Sequence, residues 1–160
     1  WNERDGETQN TAMGYELQMK DFLQTGEDGG MILNYADGTK FTMGPNTELT
    51  IDEFIYDPES KIGKIVSNIK IGTVRIVTGE ISKKNPDNLE VNIPTGSIGA
   101  RGTEFVVVTE SDEKSTVVLL GPGKKNTLGM IPGILNVSDG FNTVNISTPG
   151  FQSVVFKWKW

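Results

Sequence analysis

The sequence predicts an all-β domain of many short strands, and three observations carry that reading. Turn chemistry punctuates the chain at close intervals, with Asp5-Gly6, Asp37-Gly38 and Asp139-Gly140, the run Glu27-Asp28-Gly29-Gly30, and Gly44-Pro45-Asn46. Asp-Gly supplies the positive φ that tight hairpins need. The segments between turns alternate apolar and polar residues and are rich in β-branched side chains. No stretch sustains a long helical period. Strands spaced about 8–12 residues apart, with turns between, mean a sandwich, a barrel or a solenoid-like roll. No strict internal period is present, so a regular solenoid is not implied. The 160 residues suit one domain.

Taken in order, the polar opening predicts a loose N-terminal tail over 1–14, a β domain over 15–156 and a short C-terminal tail over 157–160. Tyr15 to Thr25 is ambiguous. Tyr15, Leu17 and Met19 alternate as in a strand, whereas Met19, Phe22 and Leu23 could line a helix. Strands are expected at 31–35 and 39–43, joined by Asp37-Gly38. The next strand, Glu48 to Tyr56, sets Leu49, Ile51 and Ile55 on one face against Thr50, Asp52, Phe54 and Tyr56. Two strands, around 64–71 and 73–77, are expected to join at Gly72 and to end at Gly79. Ile62, Ile65, Val66 and Ile69 also fit a helical face, but β-branching favours the strand. Residues 83–88 read as a polar turn and 89–93 as a strand that Pro94 stops. Further strands are expected at 115–120, 134–137, 141–146 and 152–156.

Thr95 to Val108 is the most unusual stretch. Gly96, Gly99 and Gly102 recur every third residue in a strand-like context, which marks a bend or a close backbone approach. A tight corner is expected over 99–103, leading into a fully buried strand at 105–108. Arg101 reads either as a solvated loop residue or as a guanidinium folded over the corner onto carbonyls that the turn leaves free. The second reading is preferred and makes its removal costly; a ligand-binding arginine is the alternative.

These residues resemble the signature of the FecR domain, the periplasmic module of iron-dicitrate-type sensors. They are Pro94, Ile98-Gly99 and Arg101-Gly102-Thr103 followed by Phe105 to Val108, although Ile93 stands where that family usually has threonine. The resemblance extends to Asp21, Thr25-Gly26, Asp37-Gly38-Thr39, Gly44-Pro45-Asn46, Phe54 to Pro58, Gly72 to Gly79, Asn85-Pro86, Gly133 to Val137 and Asn142 to Ser153. It implies a strand before the Thr25-Gly26 turn. It also implies a structural role for Asp37, Gly38, Thr39, Gly72, Gly79, Pro94, Gly99, Arg101, Gly102 and Thr103. The family's anti-sigma segment, membrane helix and receptor-contacting region have no counterpart in these residues, so anti-sigma activity is not implied.

Composition narrows the function. A net charge of −6 and a pI near 4.7, without a basic stripe, argue against nucleic acid and against anionic membrane surfaces. No apolar run reaches the roughly 20 residues of a spanning helix. With no cysteine, thiolate chemistry is excluded; with no histidine, the usual general base is missing. Trp1 in place of methionine reads as a fragment or a processed chain. Asp52 and Glu53 are adjacent on a strand and point to opposite faces, which does not suit a glycosidase. Glu27-Asp28 with Asp37 is the best calcium candidate but lacks ligand spacing, and hairpin turns explain it. Serine and threonine lack an activating base, and Gly121-Pro122-Gly123-Lys124 is not a phosphate loop. No residue is singled out as catalytic, as a metal ligand or as holding a cofactor, and no binding residue is assigned.

The expected function is therefore a non-enzymatic interaction or sensing module of a bacterial envelope protein. It is placed in the periplasm, at the outer membrane or outside the cell, with another envelope protein as partner. The alternative is a carbohydrate- or cell-wall-binding module, suggested by Trp158 and Trp160 sharing one face of an extended end.

Overall fold

The computed structural model describes residues 1–157. Fourteen strands follow one another: β1 Asn2–Arg4, β2 Glu7–Gln9, β3 Phe22–Gln24, β4 Met31–Asn34, β5 Lys40–Met43, β6 Glu48–Asp57, β7 Ile62–Val77, β8 Leu89–Ile93, β9 Gly96–Arg101, β10 Glu104–Ser111, β11 Lys114–Gly121, β12 Ile134–Ser138, β13 Thr143–Ile146 and β14 Gln152–Phe156. A five-residue helix, α1 (Glu80–Lys84), and a 3-10 turn (Pro86–Asn88) separate β7 from β8.

The strands make two limbs that share β7. One limb runs β13-β12-β9-β8-β7-β6-β3-β1-β2; the other runs β4-β5-β7-β10-β11-β14. The N-terminal part of β7 pairs with β6 and β8, and its C-terminal part pairs with β5 and β10. The pairings are antiparallel except β7 with β8. A parallel neighbour needs a crossover connection, and α1 with the 3-10 turn supplies it. Inward side chains of both limbs belong to one core, among them Leu23, Leu49, Ile65, Ile98 and Leu135 from the first and Phe41, Ile76, Phe105 and Leu119 from the second. The protein is an all-β single domain, as the turn spacing predicts.

Several elements differ from the sequence reading for identifiable reasons. The strands expected around 64–71 and 73–77 are one strand of 16 residues, bent at Gly72 with φ +103°. In β6, Ile51 pairs with Ser67 but Glu53 pairs with Val66, so Asp52 is an extra residue. This bulge inverts the faces beyond it. Ile55 is consequently exposed, whereas Phe54 and Tyr56 pack on the core. In β10, Phe105, Val107 and Thr109 are buried but Val106 and Val108 face outward half-covered, so the strand is not fully buried. Helix α1 lies where a polar turn was expected from residue 83.

The opening residues are not loose. β1 and β2 form a hairpin, and β1 pairs with β3. Arg4 fixes it: Nε and Nη2 each donate to the buried Asp21 carboxylate at 2.8 Å, and the guanidinium lies 5.5 Å from the Tyr15 ring centre. Of residues 15–25, only 22–24 form a strand, ahead of the Thr25-Gly26 turn that the resemblance implies. Trp158 and Trp160 lie outside the described residues.

Candidate functional site

Six residues of the expected signature, Asp37, Gly38, Thr39, Gly79, Gly102 and Thr103, meet around one hydrogen-bonded network. The hairpin between β4 and β5 turns at Asp37-Gly38, with Gly38 at φ +89°. Asp37 Oδ1 accepts from the Thr39 backbone N–H at 3.0 Å. Its Oδ2 accepts from Thr39 Oγ1 at 2.8 Å and from the Ile81 N–H at 3.1 Å. The Asp37 carbonyl accepts from the Glu80 N–H at 3.0 Å, and Thr39 Oγ1 accepts from the Gly79 N–H at 3.1 Å. The hairpin tip thus satisfies the free N–H groups at the start of α1, the work of an N-cap side chain. A Cβ on Gly79 would lie 2.5 Å from the Asp37 carbonyl oxygen and from the Thr39 nitrogen, so only glycine fits.

Thr78, beside Gly79, extends the network to the corner. Its hydroxyl accepts from the Thr103 N–H at 2.8 Å, and its own N–H donates to the Thr103 carbonyl at 3.0 Å. Gly102 turns the corner at φ +56°. The turn is narrower than the expected 99–103, because Gly99 and Ala100 belong to β9.

Arg101 does not do what its chemistry suggested. Among the described residues its Nε is buried without a hydrogen-bond partner. The remaining signature residues stand apart from the network. Gly72 packs against Thr47, whose hydroxyl accepts from the Thr73 N–H at 3.1 Å. Pro94 begins the two-residue turn that closes the β8–β9 hairpin. Gly99 lies under the 3-10 turn, where a Cβ would meet the Pro86 carbonyl at 3.5 Å.

The corner also holds the base of a long loop over 122–133. Thr103 Oγ1 donates to the Gly121 carbonyl at 2.8 Å, and Gly133 packs against Thr103 too closely to admit a side chain. The Gly133 N–H donates to the Pro122 carbonyl at 2.9 Å and closes the loop. Asn126 ties its two legs together. Its Nδ2 donates to the Gly123 and Met130 carbonyls at 2.7 and 2.9 Å, and its Oδ1 accepts from the Met130 N–H at 2.9 Å. With closed ends and internal bonds this is an Ω-loop, the kind of connection that carries function. Leu128 and Ile131 are 79% and 76% exposed on it, Met130 is half-exposed, and Lys124 and Lys125 are exposed. The sequence shows a Pro/Gly loop over 121–125 and a further bend over 129–132, but not the Asn126 bonds that join them.

Other candidates resolve into structural roles. Asp57 accepts from the Ser60 hydroxyl and the Glu59 N–H in a turn, and the Ser60 bond is the main cause holding its carboxyl below the usual range. The Arg4 hydrogen bond depresses Asp21 in the same direction, against the effect of burial. Burial pushes the Tyr35 phenol, 3.4 Å from Ser67 Oγ, up to about 12. Among the described residues no three acidic groups converge on one point. A groove of about 500 Å³ crosses the outer face of β8, β9, β12 and β13. It is lined by polar residues including Glu90, Ser97, Asn136 and Asn145, with no aromatic ring among its lining residues.

Comparison with known proteins places this geometry. The family model described as FecR protein matches residues 21–122, which hold all ten expected signature residues. Two crystal structures of a protein from Parabacteroides distasonis, provisionally described as an anti-sigma factor, are similar in fold, with TM-scores of 0.61 and 0.57 at 14% identity. Each comparison covers 84% of this chain and 54% of the other, so the chain spans about half the length of those proteins. No curated protein matches the chain.

Proposed function

The chain belongs to the FecR family, and from that premise we propose that it is a regulatory module of a bacterial envelope signalling protein. It acts through protein contacts rather than catalysis, on the periplasmic side or at the outer membrane. The match over 21–122 carries this reading, because it spans the whole network from Asp37 to Thr103. The chemistry of the site agrees with it. The buried carboxylates Asp21 and Asp37 are occupied by the protein's own donors; the Thr39 hydroxyl is held between the Asp37 carboxylate and the Gly79 N–H, and the Thr103 hydroxyl donates to the Gly121 carbonyl. A carbohydrate-binding role is less favoured, since the polar groove offers no ring on which a sugar could stack.

The test is transcriptional. Deleting the segment from the native protein, with the rest of the gene intact, is expected to change the transcript levels of a small, coherent gene set. An unchanged transcriptome, together with tight binding to a defined oligosaccharide on a glycan array, overturns the reading in favour of a carbohydrate module.

A further inference from the structure

We propose that the Ω-loop over 122–133 is a peripheral docking element for an anionic phospholipid surface, with Leu128, Met130 and Ile131 entering the headgroup region and Lys124 and Lys125 meeting the phosphates. This proposal does not depend on the regulatory reading.

Three observations carry it. The first is local charge. The whole chain is −6, yet the loop holds two lysines and no acidic residue. Electrostatic contacts with a membrane are decided within about a Debye length, roughly 8–10 Å. The loop is therefore attracted where bulk acidity alone predicts repulsion, and the acidic body favours an orientation with the loop downward. The second is exposure. Leu128, Met130 and Ile131 are exposed aliphatic side chains of one loop, and Phe151 is 64% exposed on the turn whose Pro149 packs against Gly123 at the loop's base. The loop carries no aromatic residue and no arginine, the types that dominate protein-protein hot spots. Aliphatic tips flanked by lysines instead match the interfacial pattern, in which shallow apolar burial and charge attraction add. The third is order. The Asn126 bonds and the Thr103 hydroxyl fix the loop before any contact, so docking costs little conformational freedom. No helix among the described residues is long and apolar enough to cross a membrane, and this contact requires none.

The test is co-sedimentation of the chain with vesicles of phosphatidylethanolamine and phosphatidylglycerol (3:1) and, separately, of phosphatidylcholine alone. Binding is expected to the anionic vesicles only, falling several-fold when salt is raised from about 50 to about 300 mM. The doubles Leu128→Ser/Ile131→Ser and Lys124→Glu/Lys125→Glu should each weaken binding about tenfold or more with unchanged melting temperatures, since these side chains face solvent. Ile62→Ser, an exposed apolar change on β7, should bind as the parent does. A parent that fails to sediment, or loop variants that bind equally well, overturns the proposal. So does a loop variant that abolishes transcriptional output while the parent ignores vesicles; that result assigns the loop to a protein partner.

Discussion

The turn at Asp37-Gly38-Thr39 and the corner at Arg101-Gly102-Thr103 look alike in sequence, each a charged residue, a glycine and a threonine. Both glycines have positive φ, and both threonine hydroxyls bond across to a distant segment, Thr39 to the Gly79 N–H and Thr103 to the Gly121 carbonyl. The charged residues part company. Asp37 is 4% exposed, and its two oxygens take three hydrogen bonds. Arg101 keeps a buried Nε without a partner. The aspartate therefore binds the turn to its surroundings, whereas among the described residues no hydrogen bond holds the arginine Nε. The two turns with the same outline thus differ in their charged side chain, bonded in the first and without a hydrogen bond at Nε among the described residues in the second.

The largest expected effect breaks the first turn sterically. Gly79→Ala forces a Cβ into the hairpin backbone, which neither side can relieve without separating α1 from the β4–β5 tip. A loss of about 3–5 kcal/mol, read by urea unfolding, is expected. Asp37→Ala comes next. It strands the N–H groups of Thr39 and Ile81 and the Thr39 hydroxyl, at a cost of about 2–4 kcal/mol by the same measurement. An Asp37→Ala protein as stable as its parent would remove the distinction between the two turns.

Acid titration sharpens the comparison through a third charged group. Arg4 holds the Asp21 carboxyl below its unfolded value of about 3.9. A depressed carboxyl contributes stability that is complete above the unfolded pKa and is lost as pH falls through the folded one. Melting temperature should therefore fall below about pH 4. Asp21→Asn should melt lower at neutral pH and fall less steeply in acid; parallel acid limbs in the two proteins would contradict this account.

The smallest effect is expected at the corner. Gly102→Val must place a β-branched residue at φ +56°, which costs about 1–2 kcal/mol. Arg101→Ala should stay within about 0.5 kcal/mol of the parent, the reverse of what a guanidinium clamped onto carbonyls implies. An Arg101→Ala loss above about 2 kcal/mol would restore the clamp and erase the contrast.

How much of this could be read from the sequence follows from the range of the interactions. The β4–β5 hairpin closed at Asp37-Gly38 was legible because turn chemistry is local, whereas Pro94 reads in sequence only as the end of a strand and not as the start of a hairpin turn. The strand at 89–93 matches β8 residue for residue. Helix α1 was not legible, since the carboxylate that satisfies its Ile81 N–H lies 44 positions earlier in the chain. The N-terminal hairpin was missed because Arg4 pays its way only through Asp21, 17 positions on. The alternation of β6 was read correctly up to Ile51, but no residue type announces the extra Asp52 that turns Phe54 and Tyr56 inward. Of the site, the signature positions were legible as a pattern, yet their division between scaffold and unpaired arginine was not. The Asn126-braced loop shows only its glycines and prolines in advance.

The passage of β7 through both limbs sets how the molecule comes apart. Ile65 and Ile69 anchor one limb and Val74 and Ile76 the other, all fully buried on a single strand. Each limb holds its own half of one continuous strand, and both halves enter the same core. The amide protons along β7 are therefore expected to exchange together, through global unfolding, as one cooperative unit.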